Sequence, residues 1–387
     1  MEVRLSAYKS AQYSFGFDDV ALVPGLMTVD PRDVTIGMDI GPHHFTVPIL
    51  ASAMDSAVDT RMAIALGKAG GLAVLNLQGL STRYADPAAA LDKIRKADKD
   101  ASAKVIQEVY AAPVQDELLA SRIAEIKAAG VVVAGSVTPA FGATLGKRAV
   151  ELGLDILIIQ STVTAVDHQS SAGGGLDLEE LCASVKVPVI VGNCVTYEVA
   201  RALLRAGVTG ILCGIGPGAA CTTRAVVGVG AGQISATAEC AAAREDHFQE
   251  TGKETLLITD GGMSKGGDLL KAFAAGADAV MLGSPFTRTT ESPGQGFHWG
   301  MATGDAGLPR GTRVETTIIG SLERLLFGPA EERTDGVLNL VGALRNGMGL
   351  LGCHTIADLQ QARMVIAPSF SSEGKSLQKA QRVGMGV

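Results

Sequence analysis

Charge is scarce in this chain: only 19% of its 387 residues are Asp, Glu, Lys or Arg, against roughly a quarter in an average soluble domain. With 47% of the residues hydrophobic, the composition excludes a disordered chain. Basic residues are the minority, 33 against 40 acidic ones for a net charge of −7, so counterion release from a phosphate backbone has little cationic surface to act through, and nucleic-acid partners are not expected. Aromatic residues make up 4% and include a single Trp. No apolar run reaches the roughly 18 residues that span a bilayer, and the opening MEVRLSAYKSAQYSFGFDD has no apolar leader core. The expectation is a soluble cytoplasmic protein with no membrane partner. The six cysteines include no C-x-x-C pair and the six histidines no H-E-x-x-H, which removes zinc knuckles, thioredoxin-type sites and the common metal hydrolases. The thiols are read as reduced. His43 and His44 precede the first strand and are read as solvated loop at the inactive end.

What the chain has in excess is glycine, 48 residues of it, placed with a rule. Five helical patterns end in a glycine just before an apolar strand: KAGGLAV at Gly70, KAAGVVV at Gly130, ELGLDILII at Gly153, RAGVTGILC at Gly207 and AAGADAVML at Gly276. Glycine past a helix end takes the left-handed conformation that closes the last turn. With the runs between them, strands are predicted at 47–52, 71–76, 131–135, 156–160, 188–192, 210–215, 256–260 and 279–283. Each is short, apolar on both faces and separated from the next by a helix-period stretch, as parallel strands buried between layers are. Eight such units predict an α/β fold, a TIM (β/α)8 barrel with an extended C-terminal flap and tail, as one catalytic unit over 1–387. The alternative doubly wound sheet lacks its G-x-G-x-x-G signature. Three excursions interrupt the repeat: 81–130, 214–255 and 284–387, the last holding an active-site segment around 294–314.

Barrel chemistry sits on the loops after the strands. Gly261-Gly262 after the seventh strand and Gly283-Ser284 after the eighth stand where barrels grip phosphate with backbone N–H groups; the alternative is a pair of tight turns. Asp260 ends the seventh strand, where a carboxylate can accept from a ribose diol. After the sixth strand, GIGPGAACTTR (214–224) ends a glycine-rich loop in Cys221. A cysteine there is a candidate nucleophile: Gly216 and Gly218 leave carbonyls uncovered for a monovalent cation, and exposed N–H groups with Arg224 favour a thiolate. The competing reading, a buried inert thiol, suits Cys182, Cys194, Cys213 and Cys240 better.

GIGPGAACTTR, VGNCVT, DGGMSKGGD, FDDVALVPG at 17–25 and ASAMD at 51–55 together resemble the IMP dehydrogenase and GMP reductase family over nearly the whole chain. The resemblance implies a TIM barrel, a homotetramer, and a thiolate that adds to C2 of a purine nucleoside monophosphate while a nicotinamide cofactor exchanges hydride there. Cys221 is then the nucleophile and Thr223 its proton-handling neighbour. A K⁺ ion would sit on the carbonyls of Gly216, Gly218 and Cys221. Ser52, Asp260, Gly262, Gly283 and Ser284 would hold phosphate and ribose, Met54 would lie under the purine, and the backbone at Met301 would read its edge. Gln160, Ser161, Asn193 and Gly214 would border the nicotinamide of NAD.

The departures from the family pattern are specific. Ala219 stands where a phosphate-binding Ser is usual, and His298 is the candidate to compensate. Gln160 replaces an acidic residue. Residues 81–130 are too few for the regulatory nucleotide-binding modules. The flap lacks its Arg-Tyr pair, and its Glu or Gln near the end is Arg310, which leaves Arg310 and Arg313 as the candidates for activating water. A reductase needs a carboxylate with its Thr to protonate departing ammonia, so the expectation is NAD-dependent oxidation of IMP to XMP. GMP reduction is the alternative within the family; a non-catalytic nucleotide sensor and an FMN-dependent barrel are the alternatives outside it.

Overall fold

The computed structural model describes residues 2–169, 175–300, 312–369 and 372–384. Its eight central strands are β1 (Ile49–Ala51), β2 (Leu72–Asn76), β3 (Ala134–Val137), β4 (Ile156–Gln160), β5 (Val189–Cys194), β6 (Gly210–Cys213), β7 (Leu256–Asp260) and β8 (Ala279–Leu282). All pair in parallel, and β8 returns to β1 through Val280 with Ile49, Met281 with Leu50 and Leu282 with Ala51, closing the barrel. The five helix-ending glycines have φ of 92°, 74°, 100°, 86° and 112° at positions 70, 130, 153, 207 and 276, the conformation expected of them. Only β3 departs by several residues from its predicted span, because Val131–Val133 lead in and the ladder begins where Ala134 meets Val74.

The first helices are α1 (Thr60–Lys68), α2 (Ala88–Lys96), α3 (Ser102–Val109) and α4 (Asp116–Ala128). After β3, β4 and β5 come α5 (Lys147–Glu151), α6 (Leu178–Ser184) and α7 (Tyr197–Arg205); β6 leads to α8 (Thr223–Val226) and α9 (Gln233–Thr251), and β7 to α10 (Gly266–Ala274). Starts are marked by side-chain caps: Asp59 accepts from Met62 N–H, Asp177 from Glu180 N–H and Thr196 from Val199 N–H. Beyond β8 lie α11 (Ser284–Thr287), a hairpin of β9 (Phe297–Trp299) and β10 (Arg313–Glu315), α12 (Leu322–Phe327) and α13 (Leu340–Leu351), which packs on α10.

Strand periodicity builds two cores. Leu50, Val74, Ile156, Ile158, Ile190, Leu212, Ile258 and Met281 fill the barrel, whereas Ile49, Leu75, Leu157, Ile159, Val191, Ile211, Leu257 and Val280 face the helices. His43 and His44 are not loop: His43–Phe45 pairs antiparallel with Met38–Ile40, and Met38, Ile40 and Phe45 plug the barrel's N-terminal end. The apolar alternation of that hairpin drives it under the barrel, while His44 stays at the exposed rim and bonds Asp39 at 2.7 Å. The opposite end is left open.

Candidate active site

Carrying the inward-facing period one step beyond the last apolar layer reaches Ser52, Asn76, Ser136, Gln160, Gly214, Asp260 and Gly283. All seven line one cavity of about 760 Å³ at the C-terminal ends of the strands. Parity alone therefore turns the barrel interior from apolar to polar at this level. Asn193 joins them by a register shift between Gly192 and Cys194 in the pairing of β5 with β6. Such an irregularity re-aims a side chain, here onto the β7 carboxylate.

Asp260 Oδ2 accepts from Asn193 Nδ2 at 2.9 Å and from Gln160 Nε2 at 3.0 Å. Gln160 Nε2 also lies 3.2 Å from Asn193 Oδ1. Burial pushes the Asp260 carboxyl up to about 6 in spite of these donors. Gln160, the replacement for an acid, thus serves as a neutral donor where a second carboxylate would repel the first. Beneath this layer Gln233, from the start of α9, donates to the carbonyls of Cys213 at 2.8 Å and Asp260 at 3.3 Å, tying the ends of β6 and β7 together.

The cysteine loop grows out of β6 and leans on the turn after β7. Gly214 has φ 141°, and a Cβ there would come 2.5 Å from the Asp260 carbonyl, so only glycine lets the two loops approach. Cys221 N–H closes a turn onto the Gly218 carbonyl at 3.0 Å, and the half-buried Cys221 Sγ lies 3.2 Å from Thr223 Oγ1. Arg224 donates to the carbonyls of Ile215 and Ala231. Its charge therefore organises the loop, and among the described residues no hydrogen bond joins it to Cys221.

On the other wall, Gly262 after β7 and Gly283 with Ser284 after β8 line the cavity beside Ser52 and Met54. A Cβ on Gly283 would sit 2.9 Å from Met54 Sδ, so glycine is required for that thioether to lie where it does. His298, on β9, reaches in from the flap and lies with Nε2 3.2 Å from Ser284 Oγ. Desolvation lowers its pKa to about 4, and its buried Nδ1 has no protein partner among the described residues.

Of the residues singled out in the sequence, Ser52, Met54, Gln160, Ser161, Asn193 and Gly214 meet in this cavity, as do Gly216, Gly218, Cys221, Thr223, Asp260, Gly262, Gly283, Ser284 and His298. Arg313 does not join them: its guanidinium donates to the carbonyls of Ile94 and Arg95 and stacks 5.1 Å from the Phe297 ring centroid. Met301 and Arg310 lie outside the described residues. Sequence reasoning missed Asn76, Ser136, Gln233 and a buried set in which Asp55 accepts from Asn76, Leu80 N–H and the Tyr110 hydroxyl. Period-two counting signals the first two; Gln233 opens α9 and Tyr110 follows the last turn of α3, and neither helix's periodicity carries such a mark.

The family model for the IMP dehydrogenase / GMP reductase domain matches residues 14–304. The chain is 32% identical over 373 residues to an uncharacterised oxidoreductase of Mycolicibacterium smegmatis, covering 94% of this chain and 99% of that protein. It is 28% identical over 449 residues to the inosine-5'-monophosphate dehydrogenase of Thermoplasma acidophilum, covering 90% of each. In structure it is similar to an IMP dehydrogenase/GMP reductase-like protein from Corynebacterium glutamicum, with a TM-score of 0.89, 32% identity, and coverage of 95% of this chain and 98% of that one.

Proposed function

Because the chain belongs to the IMP dehydrogenase / GMP reductase family of oxidoreductases, we propose that it oxidises IMP to XMP at purine C2, with Cys221 as the nucleophile and NAD as the hydride acceptor. The observation that carries this reading is one cavity in which Cys221 Sγ lies 3.2 Å from Thr223 Oγ1, with the Asp260 carboxylate and the glycine turns at Gly262 and Gly283 on its other wall. Cys221 adds as thiolate to C2, and C2 gives up its hydrogen as hydride. Water then adds to the same carbon, the C–S bond breaks, the thiol is restored and XMP leaves. Thr223 relays the protons at sulfur. Met54 supports the purine face, and Asp260 accepts from the ribose hydroxyls.

The nicotinamide supplies the two-electron sink when bound. The residues fit it: beyond Cys221 the cavity is lined by the amides of Gln160 and Asn193 and by the apolar side chains of Phe141, Val226 and Val227, a surface suited to a flat, weakly polar ring. A K⁺ ion would be held by the backbone carbonyls of Gly216, Gly218 and Cys221, a neutral oxygen set that suits a singly charged cation better than a divalent one. Among the described residues no cluster of three His, Cys, Asp or Glu side chains offers a competing metal site.

One observation favours a second reading, reduction of GMP. Arg313 is held at α2 and cannot serve as base for the hydrolytic water, a step that a reductase does not need. Nicotinamide absorbance decides between them. With K⁺ present, IMP plus NAD is expected to form reduced cofactor; consumption of NADPH with GMP alone would assign the reductase. Cys221→Ala is expected to abolish either turnover, and steady-state activity in that variant would overturn the covalent route.

A further inference from the structure

The excursion after β2 holds β9 and β10. Trp299, on β9, donates its indole N–H to the Tyr110 hydroxyl at 3.2 Å, and Tyr110 in turn donates to Asp55 Oδ2 at 2.7 Å. Asp55 is itself pinned from two sides, by Asn76 Nδ2 at 3.0 Å and Leu80 N–H at 2.7 Å. On β10, Arg313 caps the carbonyls of Ile94 and Arg95 in the last turn of α2, where a helix leaves acceptors unpaired and carries negative charge. Trp299 is 1% exposed and packs with Leu91, Ile94 and Val109 of the excursion.

Successive residues of a strand face opposite ways. Phe297 and Trp299 face this apolar platform, so His298 between them faces the cavity, where it meets Ser284. A bond that fixes one face of so short a strand fixes the other as well. We propose that Tyr110 is a positioning residue: by holding Trp299 it keeps His298 against Ser284, so that the α2–α3 excursion sets the affinity of the site for a phosphate monoester. The role of His298 at the phosphate and the identity of the ligand, a purine nucleotide, rest on the function proposed above.

The experiment uses the chain's one tryptophan as its own reporter. Trp299 emission and acrylamide quenching, hydrogen exchange across 297–299, and calorimetric affinities for IMP, GMP and inorganic phosphate would be compared between the wild type and Tyr110→Phe. The control is Tyr84→Phe, which removes another hydroxyl bond of the same cluster, to the Val109 carbonyl at 2.8 Å, without touching Trp299. Tyr110→Phe should make Trp299 more accessible to quencher, speed exchange in β9 and weaken phosphate and nucleotide binding about tenfold, while Tyr84→Phe leaves all three near wild type. If Tyr110→Phe does not fold, Trp299→Phe removes the same bond from the other side, with hydrogen exchange as the readout. Unchanged exchange and quenching in Tyr110→Phe, a loosened hairpin with unchanged affinity, or an equal loss in Tyr84→Phe would each overturn the proposal. A wild-type protein that binds phosphate but neither nucleotide would discard the purine reading, and the phosphate arm would still decide the clamp.

Discussion

Asp260→Asn removes a charge while keeping the side chain's size, and the structure sets the expected loss. Both internal donors, Asn193 Nδ2 at 2.9 Å and Gln160 Nε2 at 3.0 Å, land on Oδ2, which leaves Oδ1 to accept from a ribose hydroxyl. In the variant the amide oxygen satisfies those donors and the amide nitrogen takes the ligand side, so an acceptor is exchanged for a donor. Hydrogen bonds to a charged group contribute about 1.5–3 kcal/mol, which translates to IMP affinity weaker by roughly 10- to 150-fold. The pH dependence follows from the carboxyl being raised to about 6. Its accepting, ionised form is lost as pH falls through that value, so wild-type affinity should drop below pH 6 and the variant's should lack this contribution; subtracting the variant's profile removes the second ionisation of the phosphate, which also lies near 6. For stability the sign is opposite. A raised carboxyl pKa means that the folded state holds the proton more tightly, so its contribution is fully present below the ordinary value of 3.8 and is lost as pH rises through about 6. At neutral pH the variant should therefore melt no lower than the wild type. Calorimetric titration with IMP from pH 5 to 8, paired with thermal melts, tests both. An Asn variant that binds IMP within about twofold of wild type, or keeps the same acid limb, would refute the role given to Asp260.

Three further outcomes follow from the same geometry. Iodoacetamide should modify Cys221 first and IMP should protect it: Cys194, Cys213, Cys240 and Cys353 are buried, and burial pushes the Cys182 thiol up to about 11; peptide mapping that finds another cysteine labelled first would contradict this. Thr223→Val should lower kcat by about 10²-fold or more with IMP affinity nearly unchanged, and a loss confined to KM would remove Thr223 from proton handling. Gly214→Ala would bring a Cβ to 2.5 Å from the Asp260 carbonyl at φ 141°, which should cost about 1–3 kcal/mol and disable the site. A melt superimposable on the wild type's would show that the loops can separate there freely.

The barrel was legible because its signals are local. A glycine that closes a helix and an apolar run that follows it are each written within a few residues, and all five such glycines have the left-handed backbone they were assigned. Most of the cavity's lining was legible for a related reason: residues at strand ends and on the loops after them converge in any closed barrel, which is why Cys221, Asp260 and the two glycine turns meet in one cavity. Arg313 shows the limit. Its position at the end of the flap suggested a base, but side-chain direction on a short hairpin depends on what the hairpin packs against, and here the carbonyls ending α2 take the guanidinium.

The repeat, the parity that makes the barrel's upper layer polar, and the place of Cys221 on its glycine loop are thus written in the chain itself. Which partners the distant side chains bond to came only from the tertiary packing. Gln160 and Asn193 converge on one oxygen of Asp260 across 100 and 67 positions of chain, and Trp299 reaches Tyr110 across 189. Pairings of that kind depend on how elements far apart in the chain stack around a closed sheet, and no periodicity within a single element encodes them.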